Sequence, residues 1–162
     1  MTDQAGVCEL LLQLLRRHEE SDVVTAAGLA ALAFMAKGCA GVTIPFPNQS
    51  FFVAAGASPV VVRALKHFLR LEDACATAPP ASAGDPCKLC LEWGCVSLLR
   101  LLQGAQAGAG REALQQQMAQ DGACIIVTAA VDAHCEAAAI VQSALEVIDC
   151  NDNALITMHL IS

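Results

Sequence analysis

A register that recurs three times constrains this chain more than any other feature. Gly6-Val7-Cys8-Glu9-Leu10-Leu11-Leu12, Gly56-Ala57-Ser58-Pro59-Val60-Val61-Val62 and Gly122-Ala123-Cys124-Ile125-Ile126-Val127-Thr128 align without a gap. In that alignment Leu10, Val60 and Ile126 coincide, as do Leu11, Val61 and Val127, and Leu15, Leu65 and Val131. Each glycine opens an amphipathic helical pattern, and a second, Ala-rich helical pattern follows each. Recurrence on this scale predicts a stack of helical units, each burying its apolar side against the next. Such a stack leaves a long flank on which other proteins bind. The register therefore suggests a mode of action without naming a partner.

Composition fits that expectation. The 162 residues suffice for one domain with a sizeable core. Apolar residues make up 56%, yet aromatics only 4% and Tyr is missing, so Leu, Val, Ile and Ala must build the core. Small side chains let helices approach closely, which favours tight helix packing over a wide ligand cavity. Ala and Leu also carry high helix propensity. The formal charge is −7, and no Lys/Arg cluster exists beyond Arg16-Arg17, which argues against a nucleic-acid partner. An acidic surface favours basic partners, mainly through encounter rate.

Nine Cys are scattered along helical patterns, and the start, Met1-Thr2-Asp3-Gln4, has neither a basic nor an apolar leader segment. Free, buried thiols in a reducing, cytoplasmic setting are expected rather than a disulfide framework. Residues 23–42 form the most hydrophobic stretch, but Thr25, Gly28, Lys37, Gly38 and Gly41 interrupt it. A central core helix is expected there, not a membrane span.

Apolar spacing predicts helices over residues 7–18, 23–37, 49–55, 58–71, 86–102, 111–120, 123–131 and 133–149, with a short one over 154–162. Leu10, Leu11, Leu14 and Leu15 are expected to share the buried side of the first. Ser21 or Asp22 suits a cap for the second and Asp132 for the eighth. Pro59 and Pro86 fall in first turns, where the missing N–H has no partner to lose. Pro45 and Pro47, residues 72–84 and residues 104–110 mark linkers. Three units result, at about 1–40, 41–103 and 104–150, with a stub at 151–162. Gly6, Gly56 and Gly122 stand 50 and then 66 residues apart, the excess over a typical helical repeat lying in the linkers.

Phe52-Val53-Ala54-Ala55-Gly56-Ala57-Ser58-Pro59-Val60-Val61-Val62-Arg63-Ala64-Leu65 closely resembles the armadillo repeat signature. Met118-Ala119-Gln120-Asp121-Gly122-Ala123-Cys124-Ile125-Ile126-Val127 fits it without the Pro, and residues 6–15 fit its second helix. The third-helix pattern is found at residues 28–32 and 141–145, and more loosely at 94–98. The resemblance implies an all-α, right-handed solenoid of armadillo-like repeats that serves as a non-catalytic protein-interaction scaffold. Third helices would then line a concave face. With Leu32, Leu98 and Leu145 pointing into the core, the outward stripe is Ala27, Ala30 and Phe34, then Trp93, Val96 and Arg100, then Ile140, Ser143 and Val147. Phe34, Trp93, Val96, Arg100, Ser143 and Val147 are the candidate partner-binding residues, with Phe34, Trp93 and Arg100 the expected anchors. Armadillo proteins that grip extended peptides carry an Asn ladder on this helix. The matching positions here are Phe34, Arg100 and Val147, so a helix or folded domain is the expected partner, not a nuclear-localisation peptide. Self-association, or membership of a longer array, is also expected.

Chemistry is sparse. Cys87-Lys88-Leu89-Cys90 follows Asp85-Pro86 at a helix start, where thiol pKa falls. A thiol redox pair or half a zinc site centred on Cys87 and Cys90 is the alternative reading, with His67, Cys75 and Cys95 as further ligands. No second C-x-x-C accompanies it. His18, His67, His134 and His159 lack ligand spacing, and Gly104-Ala105-Gln106-Ala107-Gly108-Ala109-Gly110 lacks the Lys-Ser/Thr of a phosphate loop. No catalytic residue, metal or cofactor is expected.

Overall fold

The computed structural model describes residues 4–37, 47–75, 86–104, 109–134 and 137–148. Within them the chain is all helical, with eight helices and no strand. In chain order these are α1 (Gln4–Arg17), α2 (Asp22–Ala36), α3 (Pro47–Ala54), α4 (Ala57–Cys75), α5 (Pro86–Gly104), α6 (Ala109–Asp121), α7 (Ala123–Ala133) and α8 (Ala138–Ile148). The linkers at 38–46, 76–85 and 105–108 and the short helix expected over 154–162 lie outside the described residues.

Local chemistry sets the helix ends. Ser21 stands at the N-cap of α2 in an extended conformation without a side-chain cap bond, and the Asp22 carboxylate in the first turn accepts from the Val23 N–H at 2.7 Å. The Lys37 N–H closes that helix on the carbonyls of Ala33 and Phe34. Between α3 and α4, and again between α6 and α7, the chain turns on a glycine with positive φ, Gly56 at 74° and Gly122 at 81°. Each glycine N–H bonds back three residues, to Val53 and Ala119 respectively, at 3.1 Å. A side chain in that left-handed region costs about 1–2 kcal/mol, so glycine is the residue that permits the turn.

Some boundaries differ from the sequence reading. α4 continues through Cys75, into the stretch read as a linker from residue 72. Asp132 lies in the last turn of α7 rather than capping α8. There the Ala137 N–H bonds the His134 carbonyl at 2.9 Å, and α8 begins at Ala138. The side of α1 that is buried also differs. Cys8, Leu12 and Leu15 are in the core, while Leu10 and Leu14 are exposed. Both sets are spaced as helix stripes, and packing decides between them because no other described helix covers Leu10 and Leu14.

Among α1 to α7, the most extensive pairing joins α2 to α5. Three contacts show that these helices run side by side in the same direction. Cys90 Sγ–H donates to the Asp22 carbonyl at 3.2 Å, and Ser97 Oγ–H to that of Leu29 at 3.0 Å. At the far end the buried Gln49 Nε2 donates to the carbonyls of Ala36, at 2.6 Å, and Arg100, at 3.2 Å. Glycines bring the neighbouring helices close. A Cβ on Gly28 would lie 2.5 Å from Leu15 Cδ2, and one on Gly94 would lie 2.5 Å from Leu65 Cδ2. Leu12, Leu29, Leu32, Leu65, Leu91 and Leu98 are fully buried. Each such side chain contributes roughly 1.5–3 kcal/mol.

The remaining packing proceeds along the chain. α1 meets α2, α3 and α4, whereas α4 meets α5, α6 and α7. Among the described residues, no pairing of appreciable extent joins α1 or α2 to α6 or α7. No single helix among them is long and apolar enough to cross a membrane. The pair α3 and α4 is apolar enough when taken together, but it is bent by 72°, and Val60, Val61, Val62, Leu65 and Phe68 of α4 are buried in the core.

Candidate functional site

α2 and α5 present their outer faces side by side, and the structure brings two predicted residues together there. The rings of Phe34 and Trp93 lie 5.4 Å apart between centroids and are tilted by 42°. Ring pairs at this separation attract beyond the area they bury. Phe34 nevertheless remains 62% exposed. Trp93 is half-buried and packs against the core, so it serves as the floor against which Phe34 rests. Ala27 and Ala30, two turns and one turn before Phe34 respectively, carry only methyl groups and leave the ring unscreened along its own helix.

Val96 and Arg100 continue the α5 stripe and are half-buried. Arg100 Nη1 donates to Gln103 Oε1 at 2.9 Å, which orients the guanidinium along the helix. Its other donors keep the fork geometry suited to carboxylates. Lys37 is exposed one turn beyond Phe34. Because Gln49 ties the ends of α2 and α5 together, both cations belong to the same end of this face. The sequence reading did not include Lys37, although its i+3 spacing from Phe34 makes it legible.

The α8 part of the stripe is corrected. Ser143 and Val147 are buried, as are Ile140 and Ala144, while Leu145 is 54% exposed. α8 carries two apolar rows of identical spacing, Ile140–Ala144–Val147 and Val141–Leu145–Ile148, about 100° apart. Aligning Leu145 with Leu32 and Leu98 selects the wrong row. Ser143 and Val147 therefore line the interior and are not on an outer face.

The C-x-x-C pair lies at the start of α5. Cys90 is buried with its thiol on the Asp22 carbonyl, while Cys87 is half-buried, and neither forms a disulfide. Among the described residues, no group of three or more His, Cys, Asp or Glu could hold a metal ion. Cys95, one turn further into the core, is desolvated by burial and pushed up to about 12 from an ordinary 9.0. Burial likewise raises the Cys8 thiol. These two groups are neutral at physiological pH and behave as small apolar side chains.

His67 packs edge-on against Phe68, with centroids 5.0 Å apart, and His18 is exposed beyond α1. His159 and the side chain of Cys75 lie outside the described residues.

No family model, curated protein or solved structure matches this chain.

Proposed function

We propose that this chain is a non-catalytic protein-interaction scaffold, an armadillo-like right-handed solenoid of about three units that works in a reducing, cytoplasmic setting. The observation that carries the binding role is the exposed Phe34 ring held by Trp93 on the joined faces of α2 and α5. A half-bare aromatic pair forgoes burial that a partner can restore, and Trp and Arg are frequent energetic anchors of interfaces. The neighbouring cations, Lys37 and Arg100, suit a partner with carboxylates beside its apolar contact.

Support for the stack comes from burial at register-equivalent positions. Val7, Leu10 and Leu14 of α1 are 50%, 65% and 42% exposed. Their counterparts in α4, Ala57, Val60 and Ala64, are buried, and so are Ala123 and Ala130 in α7. The opposite side of the same helices shows the reverse order. Cys8, Leu12 and Leu15 are buried, as are Ser58, Val62 and Leu65. In α7, Cys124 and Val131 are only half-buried and Thr128 is exposed. The register-equivalent Leu15 and Leu65 lie against Gly28 and Gly94 of the following helix in their own units, so the same internal contact recurs, as repeated helical units are expected to show.

Two cationic contacts follow the same register. Arg16 Nη2 donates to the Ala55 carbonyl at 3.0 Å, and Lys66 Nζ to that of Asp121 at 2.8 Å. Each joins a second helix to the last carbonyls of the next unit's short helix, where a cation is favourable.

The test is a photo-crosslinking residue in place of Phe34, compared with one in place of Ile125, an exposed residue of α7. A discrete adduct from position 34 alone, lost with Trp93→Ala and weakened with Arg100→Ala, is the expected result. No adduct, or the same adduct from both positions, refutes the binding role. A Cys87→Ser/Cys90→Ser version addresses the thiol alternative: unchanged folding and adduct favour the scaffold, whereas lost zinc or lost disulfide exchange favours thiol chemistry.

A further inference from the structure

The scaffold reading leaves one motif unused, Cys87-Lys88-Leu89-Cys90 at the start of α5. Cys90 is fully buried, and its Sγ–H donates to the Asp22 carbonyl at 3.2 Å, across the junction with the start of α2. Cys87, three residues earlier, is half-buried and packs against the core. We propose that these two thiols form a redox switch: a hydroperoxide joins them as a disulfide, and loss of the Cys90 S–H releases the start of α2 from α5. The switch acts on the packing of the chain itself and needs no partner at Phe34 and Trp93.

Helix geometry brings the pair together. Residues three apart on a helix have Cβ atoms about 5–6 Å apart, and a disulfide holds them at about 3.5–4.5 Å. A closure of about 1–2 Å is available in a first turn, because the first four N–H groups of a helix have no intrahelical bond to break. Pro86, the first residue of α5, carries no N–H at all. The other described cysteines lack this arrangement. Burial holds Cys8 and Cys95 as thiols. Cys124 is half-buried in the first turn of α7, but three residues on stands Val127, so no second sulfur follows it there.

The chemistry needs only the peroxide. The Cys87 sulfur, as thiolate, attacks a peroxide oxygen, the O–O bond breaks, and the leaving oxygen takes up the thiol's proton. Cys87 is then a sulfenic acid. The Cys90 sulfur attacks it, the S–S bond forms, the S–O bond breaks, and the hydroxyl leaves as water with the Cys90 proton. The two thiols lose two electrons and the peroxide gains them. The bridged Cys90 sulfur has no hydrogen, so it faces the Asp22 oxygen with lone pairs alone and an attractive contact becomes a repulsive one. The rest of the junction is tied separately. Ser97 Oγ–H holds the Leu29 carbonyl midway, and Gln49 Nε2 holds the carbonyls of Ala36 and Arg100 at the far end. Oxidation therefore frees α2 at its start only.

The experiment treats the 162-residue chain with hydrogen peroxide. Peptide mapping by mass spectrometry and residue-resolved hydrogen exchange then compare the reduced and oxidised forms. Expected is a segment carrying Cys87 and Cys90 that is lighter by two hydrogens and is restored by dithiothreitol. The amides of Thr25 and Ala26, in the first turns of α2, are expected to exchange roughly two- to tenfold faster after oxidation. Amides near Ala36 are expected to be unchanged. Cys87→Ser keeps the Cys90 contact but cannot bridge, and Cys90→Ser keeps a donor for the Asp22 carbonyl. Both, once circular dichroism confirms that they fold, are expected to exchange like reduced wild type with or without peroxide. Cys87 and Cys90 that stay unbridged, or that pair with other cysteines, overturn the proposal. So does a bridge that leaves Thr25 and Ala26 unchanged, and so does faster exchange at those amides in peroxide-treated Cys87→Ser.

Discussion

Gly94 offers a test whose sign is set by two opposing effects. It lies inside α5, where Gly→Ala normally stabilises by about 1 kcal/mol through helix propensity and a less free unfolded chain. Here the new methyl would sit 2.5 Å from Leu65 Cδ2 and 2.9 Å from its Cγ. Both distances are shorter than real Cβ contacts, and Leu65 is fully buried with no solvent side to retreat into. Overpacking of this kind costs about 1–3 kcal/mol, and two close atoms on one rigidly packed side chain place Gly94→Ala in the upper half of that range. The net effect is a destabilisation of about 1–2 kcal/mol, or a Tm lowered by roughly 2–8 °C for a chain of this size.

Truncating the obstacle reverses the sign. Leu65→Ala alone costs about 2–5 kcal/mol. In that background the Gly94 methyl meets a cavity, so Gly94→Ala becomes stabilising by about 1 kcal/mol. Urea unfolding of wild type, the two single variants and the double variant gives the coupling directly. A stabilising Gly94→Ala in the wild-type background, or additive single effects, would refute the close-approach argument and the α4–α5 geometry behind it. Gly28→Ala against Leu15 repeats the test on α2, where the Cδ2 distance is also 2.5 Å.

Other outcomes follow from individual contacts. Gln49→Leu removes the amide that serves both Ala36 and Arg100 and is expected to cost about 1–3 kcal/mol in denaturant unfolding. Gly122→Ala should lower stability by about 1–2 kcal/mol through its positive φ, with Gly122→Asn milder. Cys95 should resist alkylation in the native state and react only on unfolding. Its folded pKa is raised to about 12 from 9.0, so the folded state holds its proton more tightly than the unfolded one. The stability this contributes is complete below pH 9.0 and declines as pH rises toward about 12. Urea midpoints measured across that window should fall more steeply for wild type than for Cys95→Ala.

The helices and their order were legible because apolar periodicity and glycine punctuation are local. Gly56 and Gly122 occupy the same register position in the sequence, and the chain turns on both. The Phe34 and Trp93 stripe was legible too, since spacing of i, i+3 and i+7 places residues on one side of a helix. Which of two equal stripes is buried was not legible. α1 and α8 each carry two apolar rows, and helix periodicity is satisfied by either. Only the presence or absence of a neighbouring helix separates Leu10 from Leu12, or Leu145 from Val147. That is a matter of residues far apart in the chain, which tertiary packing alone brings into contact. The same holds for the meeting of the Phe34 and Trp93 rings, which requires α2 and α5, separated by two other helices, to lie side by side.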